Sequence, residues 1–147
     1  MATPLRYITD ILDTFKGSEI AYLNTDIPLA HTRNGVIQTG VHLDKDFKFI
    51  EIEKSDGTFE PAIDADLSSS EIFLAGICSA RSYFFQEHHN ITQKAVNFKT
   101  INFQVSGLTE RAKEMMRMVW WCDNQIESVL KKLRRHDLAG STTQMEG

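Results

Sequence analysis

Two cysteines in 147 residues, Cys78 and Cys122, are too few for a disulfide framework, and no C-x-x-C pair opens a structural zinc site. Proline (3) and glycine (8) are scarce, which excludes collagen-like and linker-like chains. No apolar run approaches the roughly 20 residues that span a bilayer. Met1 to Lys16 lacks the basic start and continuous apolar core of a secretory signal. A basic excess is missing as well. Lys+Arg 16 against Asp+Glu 20 leaves a net charge of -4, which counts against a free-standing nucleic-acid binder. There is no nucleophile elbow, phosphate-binding glycine loop, H-E-x-x-H or EF-hand spacing. Catalysis, cofactor and metal are therefore not expected. What is present, 41% hydrophobic and 24% charged residues, fits one soluble domain made in a cytoplasm, with both cysteines as buried thiols.

Helical spacing opens the chain. Thr3 is expected to cap a helix with Pro4 at its first position. Leu5, Ile8, Ile11, Leu12 and Phe15 share one face, and Gly17 supplies a stop. Residues 19–43 stay undecided. Asp26-Ile27-Pro28 can start a helix, but Gly35 and Gly40 weaken one by about 1 kcal/mol each, and Val36 to Thr39 would suit a strand. Phe47 to Lys54 alternates imperfectly and predicts a half-buried strand. Ser55-Asp56-Gly57-Thr58 then predicts a hairpin turn. Phe59 to Ile63 is the return strand, and Pro61 argues that it lies at an edge. Asp44 to Asp66 holds eight acids and three bases, a net of −5.

Ser68-Ser69-Ser70-Glu71 fits a capping box, with Ser68 as cap and Glu71 three residues on. The helix that follows has apolar groups over more than a narrow stripe. It is expected to be central, or shared between core and subunit interface. It is expected to end at His88 and His89, where imidazoles suit the macrodipole. Adjacent histidines on a helix point apart and chelate poorly. Ala95 to Val105 is β-prone and predicts an extended arm, broken at Ser106-Gly107.

The longest helix is expected from Thr109 to about Arg135. Ala112, Met115, Val119, Cys122, Ile126, Val129 and Leu133 step by three or four throughout, an a/d-type seam. Trp120 and Trp121 flank this seam on different sides, so one of them is a candidate interface anchor. Lys131, Lys132, Arg134, Arg135 and His136 end the helix in more positive charge than capping requires. Residues 109–147 carry net +1 and residues 1–108 net −5, a polarity that suits head-to-tail contact between identical subunits. Residues 137–147 read as a polar tail. The expected fold is thus mainly α (α+β). It comprises a helical bundle with a long C-terminal helix, a β-hairpin and an extended arm, in a single domain over 1–136.

The stretch FEPAIDADLSSSEIFLAGICSARSYFF (59–85), then AVNFKTINFQVSGL (95–108), then a long helix ending ESVLKKL (127–133) resembles the head-to-tail adaptor, or connector, proteins of tailed bacteriophages. The resemblance covers about half the chain and rests on apolar spacing. It implies a structural virion protein of the phage neck, assembled in the host cytoplasm. Such a protein forms a ring, commonly of twelve copies, beneath the portal protein. It continues the channel for passing DNA without sequence-specific binding, and presents a surface to a downstream neck or tail protein. It implies no enzyme activity and no membrane. Carried onto this sequence, portal contact falls on Lys131, Lys132, Arg134, Arg135 and Leu138. Trp120, Trp121, Phe98 and Phe103 are candidate subunit-interface residues, and Asp44, Asp46 and Asp56 are candidate channel-facing acids. Two other readings stay open. One is a small DNA-binding or regulatory protein using the basic helix end. The other is a different neck component, a stopper or tail-completion protein.

Overall fold

A computed structural model describes residues 2–16, 26–97 and 102–146. Four helices carry a small antiparallel sheet: β1 (Thr3–Pro4), α1 (Leu5–Lys16), α2 (Asp26–Leu43), β2 (Phe49–Glu53), β3 (Phe59–Ile63), α3 (Ser69–Asn97) and α4 (Asn102–Glu146). The mainly α, α+β class is as the sequence predicts.

α3 is the axis. Its start is the predicted capping box: the Glu71 amide donates to Ser68 Oγ (3.2 Å), and the Ser68 amide donates to Glu71 Oε1 (3.1 Å). From Leu74 to Ala80 every residue is buried, so these two turns are surrounded on all sides. Small side chains allow that. At Gly76, α1 comes so close that an added Cβ would sit 2.3 Å from Ile11 Cγ2. On α2, a Cβ at Gly35 would lie 2.6 Å from the Ser79 amide nitrogen and 2.7 Å from the Ala75 carbonyl oxygen. Polar groups trapped in this seam are satisfied locally: Ser79 Oγ donates to the Ala75 carbonyl (2.7 Å) and Thr39 Oγ1 to the Gly35 carbonyl (2.8 Å). On the third side α4 lays its seam against α3. Leu12, Ile77, Cys78, Tyr83, Phe84, Val119, Cys122, Ile126 and Val129 form one core cluster. Arg81, well inside α3, pairs with Asp123, well inside α4, so the two helices run antiparallel.

The sheet order is β1-β3-β2. Pro61 therefore lies on the central strand, which corrects its expected edge position. The ladder explains why it is tolerated. The amides of Lys54 and Asp64 donate to the carbonyls of Thr58 and Lys48, so even-numbered β2 residues form the hydrogen-bonded pairs. Pro61, opposite Glu51, directs its nitrogen away from β2, and β1 ends at Pro4, before it could call on that nitrogen. The turn is as predicted. Gly57 takes φ +86°, and Asp56 Oδ1 accepts hydrogen bonds from the Thr58 amide (3.0 Å) and hydroxyl (2.6 Å). The undecided residues resolve as α2, closed by a two-bond cap. The Lys45 amide donates to the Gly40 carbonyl (2.8 Å) and the Asp44 amide to the Val41 carbonyl (3.4 Å), with Asp44 left-handed at φ 54°.

Four further expectations are corrected. Thr3 does not cap α1. It sits in β1, where its hydroxyl donates to the Ala65 carbonyl (2.7 Å) and accepts from the Leu67 amide (3.0 Å). α3 does not end at His88 and His89 but continues to Asn97. Among the described residues of the expected arm, 95–97 belong to α3 and 102–105 to α4, because tertiary context overrides a β preference resting on three alternating residues, and 98–101 lie outside the described residues. α4 begins before Thr109, takes in Ser106-Gly107, and runs on through Gly140 and the expected tail to Glu146, since propagation outlasts single glycines. Gly17 lies outside the described residues.

Gly35→Ala is expected to lower stability by about 2–3 kcal/mol, because backbone of α3 must give way. A Ser79→Gly change in the same chain is not expected to relieve it, and denaturant melts report both. The Glu71 carboxyl feels burial pushing its pKa up. The Ser68 amide, the Lys45 ammonium and the Ser68 hydroxyl outweigh burial and leave the pKa lowered. Its folded pKa lies below the unfolded one, so the stabilisation is present above about pH 4.5 and is lost as pH falls below that value. Glu71→Gln is expected to cost about 1 kcal/mol at pH 7 and less at pH 3, measured by urea titration at both pH values.

Candidate interaction surface

α2 is apolar on two sides. Its inner face sets the small and polar residues Thr32, Gly35 and Thr39 beside Val36, with Leu29 and Leu43 packed partly buried towards either end. Ile37 and Val41, one turn apart, point outward and are 55% and 78% exposed. The reason lies in α3. Close approach at Ser79 requires small residues where α2 crosses α3, so Ile37 and Val41 stand on the other face. His31 Nδ1 and Asn34 Nδ2 fix the rotation by meeting Ser82 Oγ at 3.0 and 2.9 Å.

Val41 separates two shallow depressions. The first, about 450 Å³, lies between α2, α3 and α4, with Ile126 and Leu130 at its base and Arg81, Asp123, His42 and Arg134 on its walls. The second, about 510 Å³, lies between α2 and the segment Asp44 to Phe47. The Arg81–Asp123 ion pair bounds the first depression, and the Arg81 guanidinium also lies over the Phe85 ring, 5.9 Å from its centre. Phe85 is half exposed. Trp120, 62% exposed, is one turn before Asp123 on the same side of α4. A face of exposed aliphatic and aromatic groups thus surrounds a charged pair, with basic and acidic groups at its rim.

Some sequence-predicted residues meet at this face. Arg134 lines the first depression, and Asp44 and Asp46 line the second. Lys131 pairs with Glu127 at 3.4 Å, and Lys132 and Arg135 are exposed on α4. The basic helix end therefore emerges beside the last turn of α2. Antiparallel packing brings the basic run near the acidic segment that follows α2, so the chain does not have the simple acidic-to-basic polarity its sequence halves predict. Trp121 is 38% exposed and turned away from Trp120, as the spacing requires. Asp56 stands at the hairpin tip, where the Thr58 hydroxyl and amide hold its carboxyl below the usual range. Phe98, and the side chains of Phe103 and Leu138, lie outside the described residues, although the backbone at 103 and 138 is helical. Sequence reasoning missed Arg81, Phe85, Ile37 and Val41. An ion pair between helices 42 residues apart leaves no local signal, and the outward aliphatics gave α2 no readable stripe.

Among the described residues no group of three or more His, Cys, Asp or Glu is placed to hold a metal ion. No helix of the described chain is long and apolar enough to cross a membrane. No family model, no curated protein sequence and no solved structure matches the chain.

Cys78 and Cys122 are free and buried in the α3–α4 seam. Burial pushes the Cys78 thiol up to about 11 and the Cys122 thiol up to about 12. The folded values lie above the unfolded ones, so the unfolded chain loses these protons first as pH rises. Stability is therefore expected to fall as pH rises above about 9. A Cys78→Ala/Cys122→Ala chain, less stable at pH 7 through lost packing, is expected to show a flatter decline, measured by urea titration from pH 7 to 10.5.

Proposed function

We propose that the protein is a structural subunit of a ring-shaped homo-oligomer of the phage-neck kind, seated between the portal protein and a downstream neck or tail protein. The outward face of α2 carries this reading. Ile37 and Val41 stand exposed on a helix whose other side is already packed on the core through Leu29, Val36 and Leu43, and covering by another subunit buries them. The depressions beside Val41 and the exposed Trp120 and Phe85 extend the same face. The capped helix and the long C-terminal helix behind the adaptor resemblance are both present, while the described residues of the segment between them, 95–97 and 102–105, are helical. α4 continues thirteen residues past Leu133, its last described core contact. In this reading that projection, with Lys131, Lys132, Arg134, Arg135 and Leu138, engages the portal. The ring encloses passing DNA without reading its sequence, and the subunit has no enzymatic role.

Mass photometry and negative-stain imaging of the full chain, alone and mixed with portal rings, test this. Closed rings, alone or on the portal, are expected. Val41→Asp is expected to abolish them while leaving the helical circular-dichroism spectrum intact. A chain that stays monomeric at all concentrations with portal present, or a Val41→Asp chain that still forms rings, overturns the reading.

A further inference from the structure

A closed ring built from one kind of subunit needs two different surfaces on each copy, one that gives and one that receives. Residues opposite one another on paired strands share a face, so one side of the hairpin carries Glu53 with Phe59, and Glu51 with Pro61. The other side carries Ile50, Ile52, Glu60 and Ala62, which are buried or half-buried against the molecule. Near the turn the first side looks outward, with Phe59 65% exposed, while at its far end Ile63, opposite Phe49, is buried in the core. Glu51 and Glu53 make no ion pair among the described residues. This sheet face is thus aromatic and acidic.

On α4, Arg117 and Trp120 are three residues apart and stand side by side on an exposed face. Arg117 also makes no ion pair among the described residues. This helix face is aromatic and basic, the complement of the hairpin. The two cannot meet within one chain. The hairpin ends just before the start of α3. Arg117 lies six residues before Asp123 on the antiparallel α4, and Asp123 is level with Arg81. Counting along the helices from Ser69 places the two surfaces about 27 Å apart.

We propose that the outward hairpin face of one copy docks on the Arg117–Trp120 face of a second copy. Glu51 and Glu53 meet the guanidinium, and the Phe59 ring packs on the indole. The contact rests on the ring reading above and extends the receiving face that begins at Val41, of which Trp120 is part. It is heterologous, so repeated contacts propagate beyond a dimer, and in the ring reading the rotation between copies closes them.

Charge reversal in the full chain tests the joint. Glu51→Arg/Glu53→Arg and Arg117→Glu each place like charges together, and each is expected to weaken assembly by about tenfold or more in the concentration at half-assembly. Because each copy contributes both surfaces, the chain carrying all three changes is expected to recover assembly. Mass photometry across a dilution series, with portal rings where these are needed to nucleate, gives the readout, and circular dichroism checks folding. Wild-type rings that either reversal leaves intact, or a triple variant no better assembled than the single reversals, overturn this contact and leave the ring reading standing. A wild-type chain that never assembles overturns both.

Discussion

The structure depends on how closely three helices can approach α3 between Leu74 and Ala80. A helix buried on every side over that length has to offer small residues where neighbours cross it, and the run Ala75-Gly76, Cys78-Ser79-Ala80 does so. Each neighbour answers in its own way. α1 drives Ile11 against Gly76, α2 brings Gly35 onto Ser79, and α4 contributes the larger residues of its seam. Dispersion and apolar burial are gained at short range, and the hydroxyls caught in the seam turn back onto carbonyls of their own helices.

The exposed face of α2 follows from this constraint. A helix that must be thin where it crosses Ser79 buries only Val36 there, and Ile37 and Val41 sit on the outer face. In an isolated chain that arrangement is wasteful, since Ile37 and Val41 gain nothing from folding. In an assembly the same arrangement is economical, because one helix serves the interior with its inner face and a neighbour with its outer one. The Arg81–Asp123 pair beside it orders long side chains at the boundary between the two roles.

What could be read from the sequence follows the range of the forces involved. The capping box at Ser68 and Glu71, the glycine turn at Gly57 and the seam from Ala112 to Leu133 are set by neighbours within four residues, and each appears where the spacing places it. α2 was illegible because its inward face is chosen by a helix 40 residues away. The β-prone letters around Phe98 to Val105 misled because strand preference is largely a preference for a pleated neighbour, and none is present for residues 102–105. Pro61 misled in a narrower way. The rule that bars proline from central strands concerns its nitrogen, and here that nitrogen faces the one stretch of β3 that β1 leaves unpaired. Of the interface candidates, Trp120 was visible as an indole off the seam, whereas Arg81 and Val41 became visible only with the helices packed.

Pro61 and Gly57 together set what the hairpin cannot do. Turning β3 over to accept the opposite pairing would aim the proline nitrogen at β2, where a donor is required, and sliding β2 by one residue would carry its inward side chains Ile50 and Ile52 to the outer face. Sliding by two would keep the faces but take Gly57 out of the turn position that uses its φ of +86°. The ribbon is therefore held like a key cut on both edges. Its sequence tolerates many changes of side chain, but admits a single alignment, and the outward set of residues is fixed before any neighbour arrives.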